Sequence, residues 1–368
     1  MSNPASPTPA GPLTVEPPLR QFTAATRKPR SIEWYRTPLP PGTLKRLHAR
    51  SDLLGAVQTL GYLACLAAPA TVAIRGGLRG EWLWAAGGLF AYGIVASFLI
   101  NAVHELGHNT VFRSARLNAG FCRLFAFLGW INHELFGVSH VRHHRYTLHP
   151  PDDDENPLPI RFTGRDFVRG FLFNYPFLVF SVRKTVRLAR GRFEGPWEHT
   201  LYPADQPELA RPAIRWSRLV LAGHLAVLAV SAAMGWWIVP IVVSTGCFWG
   251  NGLFLLCNNT QHIALPAHNT DFRLCCRTFT LNPVVRFLYW HMNYHTEHHM
   301  YAAVPCYRLG ALHRLIRHDL PPTPHGILAV WREIAAIKRR EAAEPGWSYT
   351  PPLPSAGRRG IVGAPGLP

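Results

Sequence analysis

The 368-residue sequence has little negative charge and no closely paired cysteines of the metal-binding kind. Asp and Glu number 21 against 38 Lys and Arg, and charged residues make up only 16% of the chain. The seven cysteines are scattered without a CxxC pair, and four of them lie in apolar runs, where a thiol behaves as a small hydrophobic group. This usage argues against a disulfide framework and against a zinc ribbon. The first 20 residues also lack the basic-then-apolar order of a cleaved signal peptide.

Two uncharged runs in the first third of the chain predict membrane-spanning helices. Residues 53–74 and 82–103 each hold 22 residues without a charged side chain, which is long enough to cross the hydrocarbon core of a bilayer. The second run begins with Trp82 and Trp84, and tryptophan commonly anchors a span at the membrane interface.

A third run, residues 219–257, contains 39 residues without a formal charge. One straight helix of this length would measure about 60 Å, roughly twice the hydrocarbon thickness. We therefore expect it to fold back near Gly235 and Pro240 into two spans, 219–234 and 237–257. The apolar runs at 121–130 and 167–180 are too short to span, and they predict helices in the interface or packed beneath it.

The distribution of Lys and Arg predicts the orientation. The connection after the first span holds only Arg75 and Arg79, the turn at Gly235 holds none, and the other segments are rich in Arg, so the positive-inside rule puts both termini in the cytoplasm. The predicted fold is all-α: a disordered basic segment 1–50, a membrane domain 51–342 with four transmembrane helices in two hairpins under a cytosolic helical cap, and a Pro/Gly-rich tail 343–368. The net charge of +17 then indicates an anionic membrane surface or an acidic protein partner, not nucleic acid.

Three histidine clusters lie at the predicted cytoplasmic ends of the spans. Two have imidazoles at i, i+3 and i+4, and the third has them at i and i+4, so each cluster shares one face of a helix. Their members are His104 and His108, then His140, His143 and His144, then His295, His298 and His299. Neutral imidazole is the commonest metal ligand. Because one metal seldom needs more than four ligands, these eight histidines predict two metals.

A ninth candidate ligand is His262, which follows Asn258 at i+4 near the end of the predicted fourth span. Alone such a histidine is more often a helix cap, but two metals at this depth favour a ligand role. The other histidines considered have no such spacing partners and are expected to be structural or to support the ligands: His133, His149, His224, His268 and His291.

The order and separation of these motifs resemble the membrane fatty acid desaturase superfamily, over residues from about 50 to 320. His104-Glu-Leu-Gly-His108 is similar to the HExGH form of the first box, and both HxxHH boxes are present. Asn258 with His262 resembles an NxxxH pair in which the histidine is a further ligand and the asparagine holds a water. In this pattern Glu105 and Asn258 support the ligands from outside the coordination sphere.

The resemblance implies a non-haem diiron enzyme that uses O₂ to attack an unactivated C–H bond of a lipid, with introduction of a double bond into a fatty acyl chain as the favoured reaction. Hydroxylases and carotenoid-type oxygenases of the same superfamily are the alternative. No HPGG segment of a fused cytochrome b5-like domain occurs, so the electrons are expected from a separate ferredoxin-, rubredoxin- or cytochrome b5-like protein.

Two other classes of function remain open from the residues alone. His104-Glu105-Leu-Gly-His108 also reads as HExxH, the zinc protease motif in which the glutamate is the general base. That reading leaves both HxxHH boxes unused, and no NPDG-like segment follows. A metal transporter or sensor would have its ligands along the spans rather than at their ends.

Overall fold

The computed structural model describes residues 31–354, and regular structure in this range is helical, with four isolated β-bridges and no strand. The predicted all-α class is therefore confirmed for these residues. The α-helices in chain order are α1 (Thr43–Leu47), α2 (Asp52–Arg79), α3 (Trp82–Ala96), α4 (Leu99–Gly107), α5 (Ala115–Leu128), α6 (His133–Tyr146), α7 (Gly164–Phe171), α8 (Tyr175–Ala189), α9 (Gly195–Leu201), α10 (Pro207–Met234), α11 (Ile238–Thr245), α12 (Gly252–Asn258), α13 (Phe272–Cys275), α14 (Pro283–Leu288), α15 (His295–Met300), α16 (Cys306–Ile316) and α17 (Ile327–Ala343).

Three helical segments in the described range are long and apolar enough to cross a membrane: α2, the continuous stretch α3–α4, and α10. The predicted first span is longer than expected, because Ser51 caps α2 by accepting from the Leu54 amide and the helix continues to Gly80, whose φ of 75° ends it. Many large apolar side chains on these helices are exposed, among them Leu83 at 91% and Leu53 at 74%. Such surfaces are typical of contact with lipid.

The fourth predicted span, 237–257, is wrong as a single helix. The fold-back at Gly235 occurs as expected, with a φ of 69° there and the Trp236 amide bonded to the Ser231 carbonyl at 2.8 Å. The returning segment, however, consists of Ile238–Phe248 followed by a break before α12. At the break Gly250 has a φ of 62°, and the Asn251 side-chain amide donates to the Cys247 carbonyl at 2.9 Å. This side chain supplies the bond that the next helical turn would have made.

The two shorter apolar runs also form helices. Residues 121–130 belong largely to α5, and residues 167–180 are divided between α7 and α8 by a bend at 172–174. At this bend the Asn174 amide donates to the Phe248 carbonyl and the Gly250 amide donates to the Leu172 carbonyl. The bend is thus fixed against the break in the fourth apolar segment.

The predicted disorder of segment 1–50 is wrong for its described part, residues 31–50. The Trp34 ring stacks on Phe272 at 4.1 Å, the Tyr35 hydroxyl donates to Asp319 at 2.6 Å, and Leu47 is fully buried. Composition suggested a loose tail, but these side chains are held by contacts more than 200 residues away in the chain. Residues 1–30 lie outside the described range, as do 355–368 of the predicted tail, whose described part includes the buried Pro351.

The apolar core lies among α2, α4, α5 and the segment that precedes α15. Trp290, Tyr62 and Phe125 form its centre, with each pair of rings in edge contact at 5.5 to 6.2 Å. Helix α15, which follows this segment, is buried along its whole length. The histidine clusters lie on the helices that border it.

Candidate metal centre

Four segments bring the predicted histidines together. His104 is on α4 and His108 caps its C-terminus, α6 carries the second box, α15 carries the third, and His262 follows α12. The side-chain oxygen of Asn132 accepts from the Leu135 amide and starts α6 in the register that turns its histidines inward. Helix α15 has only six residues, so tertiary contacts must hold it in place.

The nine predicted histidines fall into two clusters, each with candidate ligand atoms within 4.8 Å of one another. The first contains His104, His108, His140, His144 and His298, and the second contains His143, His262, His295 and His299. All are buried or half-buried. The grouping crosses the sequence boxes, because every box with three histidines contributes to both clusters.

Helical geometry explains this division. At about 100° per residue, positions i and i+4 differ by roughly 40°, whereas i+3 and i+4 differ by about 100°. In α6 the i, i+4 pair His140 and His144 belongs to the first cluster, and His143 points to the second. In α15 the pair His295 and His299 belongs to the second cluster, and His298 to the first. One HxxHH box on one helix therefore faces two sites.

The nitrogen positions fit coordination to metal ions. Pairs of Nε2 atoms approach to 2.9 Å between His262 and His295, and to 3.1 Å between His144 and His298. Two imidazoles at right angles on one ion, each with a metal–nitrogen bond of about 2.0–2.1 Å, would be separated by about 2.9 Å. The Nε2 atoms of His104, His108 and His140 are buried without a hydrogen-bond partner. Buried polar atoms are rarely left unpaired, so a ligand role accounts for them.

Five of the nine imidazoles have a fixed orientation, because their Nδ1–H groups donate to an acceptor at 2.7 to 3.2 Å and leave Nε2 free as a ligand. The pairs are His104 with Glu105, His140 with Glu155, His143 with Asp153, His262 with the Cys275 carbonyl, and His299 with Thr147. Such outer contacts set both the tautomer and the direction of a metal ligand.

Asp153 and Glu155 are functional candidates that sequence reasoning missed. Asp153 accepts from His143 and from the Leu148 and Glu155 amides, at 2.8 to 3.1 Å. Burial opposes its charge, but His143 and these hydrogen bonds outweigh burial and lower the pKa of Asp153. Burial raises the pKa of Glu155 to about 7, against the opposing effects of His143 and Ser139. The available signal was the run of four acidic residues, 152–155, just after the second box in a chain poor in acid.

Glu105 contacts two boxes at once. Its Oε1 atom lies 2.9 Å from Nδ1 of His104 and 3.6 Å from Nδ1 of His298, and the side chain is 1% exposed. Both contacts are on the Nδ1 side of the rings, away from the unpartnered Nε2 of His104. This is a position from which a carboxylate can orient imidazoles.

The i, i+4 spacing of Asn258 and His262 predicts that the two side chains share a helical face, and this prediction is wrong. Helix α12 ends at Asn258, and His262 lies in the turns that follow, so the two do not share a helical face. Arg277 holds the turns that carry His262, because its guanidinium donates to the Thr260 and Ile263 carbonyls at 2.6 and 2.9 Å. His262 reaches the second cluster through this tertiary support.

A further buried carboxylate, that of Glu297, holds α15. It lies between the histidines of the third box, is fully buried, accepts from Thr278, and pairs with Nδ1 of His313 on α16 at 2.5 Å. The five histidines without spacing partners lie outside both clusters. His224, for example, is stacked between Phe127 and Trp130, and His149 donates to the Thr147 carbonyl.

The fold and the clusters define a helical membrane-type protein with a histidine-rich site suited to metal. Residues 81–331 match the family model described as fatty acid desaturase, and the chain belongs to this family. Its members are oxidoreductases that act on lipids in membranes and generally use a diiron centre. A search of curated proteins finds no match to the chain.

Proposed function

We propose that this protein is an O₂-dependent diiron enzyme that introduces a double bond into a fatty acyl chain. The observation that carries the proposal is the division of nine buried or half-buried imidazoles into clusters of five and four. Each cluster offers enough ligands for one ion, and the rings of His144 in the first cluster and His299 in the second are only 4.4 Å apart, which favours a paired-metal site. An all-imidazole set suits iron, although ligand chemistry alone does not select it.

The proposed ligands are the five histidines of the first cluster and the four of the second. Bound iron would supply the O₂ chemistry that removes two hydrogens from the acyl chain of the substrate. The protein's own residues hold the ligands: Glu105, Glu155 and Asp153 accept from imidazole Nδ1 atoms and increase the basicity of the coordinating nitrogens. Asn258 is proposed to hold a water beside the second cluster. Burial of the nine histidines keeps bulk water from the reacting acyl chain.

The membrane arrangement belongs to the same proposal. Three apolar helices, with the broken segment α11–α12 as a fourth crossing, are proposed to anchor a domain 51–342, with both termini and the clusters on the cytoplasmic side. The loop charges support this orientation. The electrons are proposed to come from a separate ferredoxin-, rubredoxin- or cytochrome b5-like protein, and the net charge of +17 would attract an acidic donor.

A hydroxylase or carotenoid-type oxygenase would use the same site, and product choice between these reactions depends on where the substrate carbon lies relative to the metals. A zinc protease is disfavoured by Glu105. A general base must reach the metal's water, but this carboxylate accepts from Nδ1 of His104, on the side of the ring away from its unpartnered Nε2.

The test is product analysis. The chain is expressed in a host together with a candidate electron donor, and the host lipids are analysed by mass spectrometry beside an equal culture expressing His143→Ala. A new lipid two hydrogens lighter, absent from the His143→Ala culture, is the expected result. A product heavier by one oxygen would move the assignment to hydroxylation, and identical lipids in both cultures with iron-loaded wild-type protein would refute the proposal.

A further inference from the structure

His262 differs from the histidines of the three boxes, because it lies neither on a helix nor at the end of one. Helix α12 ends at Asn258, and residues 259–264 form turns, with a φ of 58° at Ala264. A stretch of turns this short has little stability of its own. The position of the His262 imidazole must therefore come from contacts with other parts of the fold.

Arg277 binds these turns at three points. Its amide donates to the Gln261 carbonyl at 2.9 Å, and Nη1 of its guanidinium donates to the Thr260 and Ile263 carbonyls at 2.6 and 2.9 Å. The three acceptors stand on both sides of His262 in the chain. The two guanidinium bonds are charge-assisted and hence of the stronger kind. Loss of the guanidinium would therefore release the backbone that carries the imidazole.

Arg277 is itself a buried cation that requires a counter-charge. Its side chain is 5% exposed, and a buried cation without a partner is strongly unfavourable. Its carboxylate partner is Glu333 on α17, with Arg277 Nε and Glu333 Oε1 3.7 Å apart. The Glu333 side chain is 33% exposed, so the carboxylate keeps part of its own hydration. Glu333 thus stabilises the cation that holds the turns.

Helix α17 also contacts the helix that leads into the turns. Nε1 of Trp331 donates to the Leu256 carbonyl on α12 at 2.9 Å, two residues before α12 ends. Trp331 and Glu333 lie within one turn of each other on α17. The same part of α17 therefore contacts both the start of the His262 turns and the arginine that binds them.

The segment after α17 covers the ion pair. Arg277 and Glu333 line a cavity of about 220 Å³, and Tyr349, Pro351 and Pro352 line it as well. The Tyr349 hydroxyl lies 3.5 Å from Glu333 Oε1, and Pro351 is buried. Charges attract each other more strongly where water is scarce. The cover therefore favours the pair of Arg277 and Glu333.

We propose that α17 sets the metal affinity of the second cluster: Glu333 holds Arg277, and Arg277 is a positioning residue that holds the turns carrying His262. This inference rests on the part of the proposed function that makes His262 a metal ligand. The match to the family model ends at residue 331, so Glu333 lies beyond the matched region. The end of the chain acts on the metal site here without touching a ligand.

The experiment measures iron per folded full-length protein during competition with a chelator, in a double-mutant cycle of Arg277→Met with His262→Ala. Arg277→Met alone should retain iron at least about tenfold more weakly than the wild type, because two charge-assisted hydrogen bonds are lost. It should cause no further loss when His262→Ala is already present, because it acts through that histidine. Arg332→Met is the matched control, since Arg332 is exposed beside Glu333 on α17, and it should retain iron as the wild type does.

The outcomes separate this inference from the proposed function. Wild-type iron retention in folded Arg277→Met overturns the inference and leaves the proposed function standing. An equal loss with and without His262→Ala also overturns it, because the arginine would then support the fold in general. Wild-type retention in His262→Ala overturns it as well. A wild-type protein that retains no iron overturns both the inference and the proposed function.

Glu333→Gln tests the contribution of α17, and it replaces Arg277→Met in the cycle if that variant does not fold. Glutamine keeps the shape of the side chain and removes the counter-charge, so iron retention should weaken about three- to tenfold, the range for a partly exposed ion pair. Glu341→Gln is the matched control on the same helix, where Glu341 pairs with Lys338 at 2.7 Å. Equal iron retention in Glu333→Gln and Glu341→Gln refutes the role of α17 and with it the inference.

Discussion

Replacing Asp153 by asparagine should weaken metal retention in the second cluster. The carboxylate is 3% exposed; Oδ2 accepts from His143 at 2.9 Å and from the Leu148 amide at 2.8 Å, and Oδ1 accepts from the Glu155 amide at 3.1 Å. Asparagine can keep only one of these oxygens. The NH₂ group of its side chain must then face at least one N–H group, so that a donor opposes a donor. The hydrogen bond to His143 also loses its charged acceptor.

The size of the effect follows from those bonds. A hydrogen bond to a charged group contributes about 1.5–3 kcal/mol and a neutral one about 0.5–1.5 kcal/mol. Loss of the charge therefore costs roughly 1 to 1.5 kcal/mol, and the opposed donor adds a cost of about 1 kcal/mol or more. Since 1.4 kcal/mol is about a factor of ten, we expect about 10- to 100-fold weaker retention, the range found for outer-shell changes at metal sites.

The assay is iron per folded protein during competition with a chelator, compared among the wild type, Asp153→Asn and Asp152→Asn. Asp152 is a matched control, because its carboxylate is partly exposed and its ion-pair contact with Arg142 is long, at 3.8 Å. Such a pair contributes little to stability. The reasoning is refuted if Asp153→Asn retains both irons as the wild type does, or if Asp152→Asn loses iron equally.

Three further predictions test the rest of the site and its surroundings. A reporter fused after Arg79 should be exterior and one after Pro151 cytoplasmic; an exterior Pro151 would contradict the proposed orientation. Glu105→Gln should keep iron and part of the turnover, because glutamine can still accept from Nδ1, whereas His143→Ala should lose both; the reverse pattern would favour the zinc protease. His262→Ala should lower iron occupancy and activity together, and wild-type values for both would remove the segment after α12 from the site.

Local spacing made the histidine boxes predictable. Residues at i, i+3 and i+4 on a helix must lie within one turn of one another, so the boxes on α6 and α15 could be recognised without any knowledge of the fold. Their division between two clusters was not predicted, because it depends on how the two helices face each other. The partners of His262 and His299, which are the Cys275 carbonyl and Thr147, come from distant segments and carry no signal of their own.

Hydropathy predicted where apolar segments occur but not where they break. Residues 237–257 have no charge, yet the Gly250 backbone and the Asn251 side chain interrupt the helix. Uncharged polar residues and glycine barely change a hydropathy average. The same limitation applies to residues 31–50, where composition indicated disorder and two aromatic contacts, Trp34 on Phe272 and Tyr35 with Arg273, hold the chain in place.

The sharing of α6 and α15 between clusters couples the two sites thermodynamically. An ion that fixes His140 and His144 also immobilises the turn that bears His143. Binding of the second ion would therefore cost less conformational entropy, because part of its site is already ordered. The same holds in the opposite direction, since coupling between binding sites is reciprocal. Metal loading should thus be cooperative, and a defect confined to one cluster should also weaken metal binding at the other.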